Sequence, residues 1–154
     1  MLFTSDDIIL SEVDNRCLII IHNKKNPSDD DIGRIGSFYR AAKANISEYQ
    51  TIVMTDGGGP TSRQRKQQQE EFGSDFKNMR TAVVSDAITV RFVVSSFMLF
   101  TKKIKAVEPG QFGDALDFLD LSAAARDEIT LRMDAIASEV PKGRFKTFDA
   151  VMAR

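Results

Sequence analysis

The chain has 154 residues, of which 42% are hydrophobic and 28% are charged, and its net charge is −1. This length is typical of one ordinary domain that folds without disulfides or metals. The near-zero charge provides no overall field that would attract nucleic acid or an anionic membrane, so neither is an expected partner.

Targeting segments and disulfides are not expected. The N-terminus has neither the basic flank nor the apolar core of a signal peptide, and no apolar run reaches the length of a membrane span. Cys17 is the only cysteine, which excludes an internal disulfide. We therefore expect a cytoplasmic protein without stable membrane insertion.

The first part of the chain predicts a β-hairpin over residues 8–22. Residues 14–16 form its turn, because Asp and Asn tolerate the backbone angles that turns require. Residues 17–22 are apolar on both faces and are therefore predicted to form a central strand. Ser28 then caps a helix, whose apolar residues recur at helical spacing through Ile46.

The middle of the chain alternates strands and helices. Residues 51–55 predict a short buried strand that ends sharply at residues 56–60. A polar helix follows from Thr61 or Ser62 to about Phe72, and residues 81–84 predict another strand. Asp86 then lies at the start of an apolar segment.

This segment, residues 87–101, has two interpretations. Its apolar residues alternate as in a strand, but its length favours a helix, which we predict. Residues 104–107 predict the last edge strand, and residues 113–121 and 122–140 predict two helices. The tail is either a short helix or a disordered end.

This order predicts an α/β fold, because strands that alternate with helices pair in parallel through right-handed crossovers. We expect a single small, mixed, mostly parallel sheet of about five strands with flanking helices over residues 1–121. Residues 122–154 are expected to form a C-terminal helical extension packed on the same domain.

The pattern resembles the STAS-type anti-sigma-factor antagonists and, more closely, the SpoIIAA-like bacterial proteins. The segments that carry the resemblance are residues 52–60, 63–65, 82–86, 90–94, 104–107 and 112–119. The resemblance covers about residues 5–121. It implies a role in binding proteins or, in some relatives, a small or lipid-like ligand.

The resemblance also makes two hydroxyl groups candidate phosphorylation sites. The antagonists carry a phosphorylatable Ser or Thr directly after an Asp at a helix start, whereas Asp56 is followed here by three glycines. The nearest hydroxyls are those of Thr61 and Ser62, with Arg63, Arg65 and Lys66 close enough to neutralise a phosphate. Helix capping is the alternative explanation of both residues.

The loop of Gly57, Gly58 and Gly59 lies after a strand and before a helix, where α/β sheets commonly bind ligands. Free amides at a helix start can hold an anion. No Gly-Lys-Ser/Thr follows, so the loop is not a P-loop. The alternative is a tight turn that requires positive φ angles.

The apolar helix 87–100 must be buried or must meet a partner. Core packing is one interpretation, and a homodimer interface around Phe92, Phe97 and Phe100 is another.

Catalysis has little support in the sequence. His22 is the only histidine, and although Asp56 or Asp86 could be combined with Ser62 around it, nothing in their spacing requires this. We expect His22 to be a strand-end or surface residue and Cys17 to be an apolar filler. The sequence therefore predicts no enzyme, cofactor or metal site.

The leading hypothesis is a non-catalytic, regulatory protein-interaction module that binds a protein partner of unknown identity. The alternative is a small-molecule or lipid-binding protein with a cavity under helix 87–100. In either case the expected contact residues are Asp56, Gly57, Gly58, Gly59, Thr61, Ser62, Asp86, Arg91 and Phe92.

Overall fold

The computed structural model of the protein describes residues 2–88, 90, 94 and 103–153. These residues form a six-stranded sheet in which the first three strands pair antiparallel and the third to sixth strands pair parallel. The prediction of an α/β fold with a mixed, mostly parallel sheet is confirmed. The strands lie in chain order: β1 (Leu2–Thr4), β2 (Ile8–Val13), β3 (Cys17–His22), β4 (Gln50–Thr55), β5 (Thr81–Val84) and β6 (Ile104–Val107).

Among the strands of the described residues, β1 is the one that the sequence did not predict. It has three residues, of which Leu2 and Phe3 are half-buried and Thr4 is exposed. Such a short segment carries too little alternation to be recognised, and it forms because it pairs with the outer side of β2.

The hairpin between β2 and β3 follows the predicted turn. Asp14 and Asn15 have φ angles of 51° and 55°, and the N–H of Arg16 donates to the carbonyl of Val13 at 3.0 Å. Asp and Asn tolerate this left-handed backbone better than most residues, which explains the turn at this position.

Helices α1 (Asp29–Ala41) and α2 (Ser62–Phe76) cover one face of the sheet, with a short 3-10 helix over Lys43–Glu48 between them. The Ser28 hydroxyl caps α1 by accepting from the N–H of Asp31, as predicted. The predicted end of α2 near Phe72 is wrong. The helix continues because Phe76 and Phe72 both pack against the ring of Tyr39.

The opposite face is covered by α3 (Phe112–Phe118), α4 (Ala123–Glu139) and α5 (Lys146–Met152). Helices α4 and α5 bury apolar side chains in the same core as β3 and β4, and the tail is a short helix rather than a disordered end. The domain boundary at residue 121 stays a prediction. The buried residues contributed by the extension include Ile129, Met133, Ile136, Phe148 and Val151.

The predicted helix 87–100 is described at residues 87, 88, 90 and 94, and the last three of these are helical. The rest of that segment, including Arg91, Phe92, Phe97 and Phe100, lies outside the described residues. Within the described part of the chain, no helix is long and apolar enough to cross a membrane.

Candidate ligand-binding cavity

A cavity of about 400 Å³ lies on the face of the sheet that α1 and α2 cover. Its floor consists of alternate residues of β3, β4 and β5, because strand residues two positions apart share a face. Helices α1 and α2 and the loop after β4 contribute the walls. The lining residues are Ile20, His22, Ile35, Tyr39, Thr51, Val53, Thr55, Gly58, Gly59, Pro60, Arg65, Gln68, Phe76, Met79, Thr81, Val83, Val90, Lys103 and Ile104.

The lining is mainly aliphatic and aromatic, and the side chains at the centre of its floor are small. Val53 lies in the middle of β4, yet it is only half-buried, whereas its sequence neighbours Ile52 and Met54 on the opposite face are fully buried. Val83 lies beside it in the parallel register of β5. The short side chains of Val53 and Val83 therefore leave room above the centre of the sheet.

Thr55 is a buried polar residue of the lining, and its side chain is used within the protein. Its Oγ1 donates to the carbonyl of Gly58 at 2.6 Å and accepts from the N–H of Gly57 at 3.0 Å. Its carbonyl accepts from the hydroxyl groups of Ser85 and Thr147. Thr55 therefore fixes the glycine loop and the end of β4.

Thr51 and Tyr39 form a second polar contact beneath the cavity. The Thr51 hydroxyl donates to the sulfur of Met79 at 3.4 Å and lies 3.2 Å from the Tyr39 hydroxyl. Burial raises the pKa of Tyr39 to about 12, so its phenol is neutral at pH 7. The hydroxyl groups of Thr51 and Tyr39 are therefore uncharged and contact each other.

His22 differs from both threonines. Its side chain lies at the end of β3 and lines the cavity, and the residue is only 3% exposed. No residue that the structure describes provides a hydrogen-bond partner for its Nδ1. Burial lowers the pKa of His22 to about 4, so its imidazole is neutral at pH 7. The histidine is at a strand end, as expected, but it is buried rather than on the surface.

The glycine loop is a tight turn packed against the chain that follows β3. Gly57 has a φ of 129°, and a Cβ on Gly58 would lie 2.1 Å from the carbonyl oxygen of Lys25. The N–H of Gly58 donates to Asn23, and that of Gly57 donates to Thr55. These two amides are already paired, which weakens the predicted anion site. Gly58 and Gly59 nevertheless line the cavity.

Asp56 caps a helix, and its predicted contact with a ligand or partner stays a prediction. Its carboxylate oxygens accept from the N–H groups of Lys146 at 3.0 Å and Thr147 at 2.7 Å, at the start of α5. It is not a lining residue of the cavity. The carboxylate therefore joins the C-terminal helix to the end of β4.

Thr61 and Ser62 have different environments. Thr61 and Gln64 form a capping box, with the Thr61 hydroxyl accepting from the N–H of Gln64 at 3.2 Å. Ser62 is exposed, and its Oγ accepts from the Arg65 guanidinium at 3.1 Å. Phosphorylation of either residue stays a prediction. Asp86 is exposed and does not line the cavity.

The polar lining residues His22, Thr51 and Thr55 were not predicted as a group from the sequence. A signal for them exists, since each interrupts an apolar strand on the face that carries Ile20 and Val53. Polar residues at alternate positions of a buried strand indicate a partner or a cavity on that face.

Other chemistry has little support among the residues that the structure describes. They contain no group of three or more His, Cys, Asp or Glu side chains that could hold a metal ion. Cys17 is buried, and desolvation raises the pKa of its thiol to about 12, which keeps it protonated and unreactive.

Comparisons with known proteins do not assign the chain to a family. A scan against protein-family models gives no match, and searches of curated proteins and of solved structures give none either. The resemblance to STAS-type and SpoIIAA-like proteins therefore stays a prediction.

Proposed function

We propose that this protein binds a small, largely apolar molecule in the cavity over β3, β4 and β5. The observation that carries the proposal is the cavity of about 400 Å³ with its mainly apolar lining. Sites for small molecules commonly have volumes of about 300–1,000 Å³, apolar walls and a few polar groups that orient the ligand.

The energetics of the lining favour an apolar occupant. Val53, Val83 and Phe76 would lose contact with water when such a molecule binds, which stabilises the complex by about 25 cal/mol per Å² of apolar surface removed from water. An ion bound against these three side chains would lose its hydration and gain no opposite charge from them, which opposes binding. The charged residues of the lining, Arg65 and Lys103, offer an opposite charge only to an anion.

We propose binding rather than catalysis because the polar groups of the lining lack a paired acid and base. His22 has no carboxylate among its hydrogen-bond partners in the described chain, and the hydroxyls of Thr51 and Thr55 are held in structural hydrogen bonds. A nucleophile needs a base within hydrogen-bond reach and a group that orients this base.

Titration of the purified protein with the uncharged fluorophore Nile red tests the proposal. The Val53→Phe variant adds a ring inside the cavity, whereas the matched Leu131→Phe variant adds one at a residue of α4 that is 62% exposed. We expect saturable binding that Val53→Phe weakens about tenfold or more and that Leu131→Phe leaves unchanged. Equal binding by all three proteins would contradict the proposal.

A second candidate function is the regulatory role implied by the family resemblance. The observation that favours it is the contact between Ser62, which is exposed at the start of α2, and the guanidinium of Arg65, which also lines the cavity. A phosphate on Ser62 would be stabilised by the helix start and would strengthen its attraction for Arg65. Phosphorylation would then couple a protein-interaction surface to the cavity.

Mass spectrometry of the protein isolated from its native cells tests this second candidate. We expect a phosphopeptide that contains Ser62 in a fraction of the molecules and under some growth conditions. An unmodified Ser62 under all conditions would contradict it.

Sedimentation at several protein concentrations tests the homodimer expected from the sequence, since a monomer at every concentration would exclude self-association.

A further inference from the structure

His22 offers an unused hydrogen-bonding atom at the cavity. Its side chain lines the cavity, and its buried Nδ1 has no hydrogen-bond partner in the described part of the chain. Buried polar atoms are nearly always paired in native proteins, so an unpaired one requires an explanation. A bound molecule that pairs with the imidazole provides that explanation.

The hydroxyl groups of Thr51 and Thr55, the other buried polar side chains discussed above, already have hydrogen-bond partners. The Thr55 hydroxyl both donates to and accepts from the glycine loop. The Thr51 hydroxyl donates to Met79 and contacts the hydroxyl of Tyr39. Among these buried groups, the imidazole of His22 is therefore the one left to orient a ligand.

The chemistry of the imidazole selects the kind of polar group that it would bind. A neutral imidazole has one nitrogen that donates and one that accepts. A hydroxyl group can also donate and accept, so it pairs with either tautomer of the ring. A carboxylate can only accept, and it gains no opposite charge from His22, which burial keeps neutral at pH 7. The cations that line the cavity, Arg65 on α2 and Lys103 before β6, belong to other parts of the lining.

We propose that His22 holds the polar end of the ligand, and that this ligand is an apolar molecule with a neutral hydroxyl group. The inference rests on the proposed function of the cavity. The aliphatic side chains of Ile20, Val53 and Val83 contact the apolar body.

Three probes with the same chain length separate the contribution of the apolar chain from those of a hydroxyl and a carboxylate group. They are octane, octanol and octanoate, each measured by displacement of Nile red. The His22→Phe variant keeps a planar ring but removes both nitrogens. We expect this variant to bind octanol about tenfold more weakly than the unchanged protein and to bind octane equally well or more tightly. We also expect the unchanged protein to bind octanol more tightly than octanoate.

The imidazole itself gives an independent measurement. Because the chain has a single histidine, the imidazole nitrogen signals in a ¹⁵N NMR spectrum belong to His22 without further assignment. We expect octanol to shift the signal of the bonded nitrogen and octane to leave it nearly unchanged. This measurement needs no substitution, so it remains decisive if His22→Phe fails to fold.

The outcomes distinguish the two proposals. If octane and octanol both bind, but His22→Phe weakens both equally and the nitrogen signals do not move with octanol, His22 is not the polar anchor and the cavity remains a ligand site. Tighter binding of octanoate than of octanol would overturn the hydroxyl assignment. If no probe displaces Nile red, or if Nile red does not bind, the proposed function fails and this inference fails with it.

Discussion

The carboxylate of Asp56, at the end of β4, accepts a hydrogen bond of 2.7 Å from the N–H of Thr147, which is 91 residues later in the chain. A second oxygen of the same carboxylate accepts from Lys146. The first turn of a helix has N–H groups without partners inside the helix, so this contact satisfies two of them in α5. The C-terminal helix is thereby fixed to the sheet.

Removal of this cap should destabilise the protein. We expect Asp56→Ala to lower the free energy of unfolding by about 1–2 kcal/mol, because two helix-start N–H groups lose their acceptor. Urea denaturation measures the change. Asp86→Ala is the control, since Asp86 is exposed, and we expect it to change stability by less than about 0.5 kcal/mol. An equal effect of the two substitutions would contradict the structural role of Asp56.

Gly58 and Gly59 form a matched pair for the glycine loop. A Cβ on Gly58 would lie 2.1 Å from the backbone oxygen of Lys25, whereas a Cβ on Gly59 would meet no atom within 4 Å. We expect Gly58→Ala to destabilise the protein by about 2–3 kcal/mol through displacement of the backbone, and Gly59→Ala to have little effect. Thermal unfolding of both variants tests this difference. Similar unfolding temperatures would mean that the loop does not pack against Lys25.

Much of the fold could be predicted from the sequence because its signals are local. The turn at Asp14 and Asn15 and the cap at Ser28 depend on residues next to the elements that they begin or end. The cavity and the role of Asp56 depend on residues that are distant in the chain. The sequence shows that Asp56 follows a buried strand, but not that the start of α5 lies against it.

The burial of the polar cavity residues likewise could not be predicted from neighbouring residues in the sequence. His22 ends an apolar strand, where sequence patterns do not distinguish a solvent-facing residue from one covered by a later helix. The elements that line the cavity with His22 include α1, α2 and the loop after β4, which all follow it in the chain, and the residues next to His22 do not show how these elements pack. The ligand site thus depends on tertiary contacts.

Burial of His22 predicts a pH dependence of stability. Its pKa falls from an ordinary value of 6.5 to about 4 in the folded protein, so the unfolded chain binds a proton first as the pH decreases. The contribution of the neutral, buried imidazole to the free energy of unfolding is fully present above about pH 6.5. It is lost between about pH 6.5 and pH 4, by about 3 kcal/mol in total.

Urea denaturation at several pH values measures this loss in the unchanged protein and in His22→Phe. We expect the difference in unfolding free energy between the two proteins to change over this interval and to be constant above it. Because both proteins have the same carboxylates, the difference isolates the histidine. A constant difference down to pH 4 would show that His22 is accessible to protons in the folded state.

Thr61 and Ser62 provide a test of the capping interpretation. The Thr61 hydroxyl is part of the capping box of α2, whereas Ser62 is exposed and contacts only the Arg65 side chain through its hydroxyl in the described structure. We expect Thr61→Ala to lower the unfolding free energy by about 1 kcal/mol and Ser62→Ala to change it by less than about 0.5 kcal/mol. The reverse order, measured by urea denaturation, would contradict the assignment of the cap to Thr61.

The position of a bound probe tests the central claim most directly. Isotope-filtered nuclear Overhauser measurements on the complex with octanol identify the methyl groups in contact with its chain. We expect contacts with the methyl groups of Val53 and Val83 and none with Leu131, which is exposed on α4. Contacts with Leu131 in the absence of any with Val53 and Val83 would show that the cavity over the sheet is not the binding site.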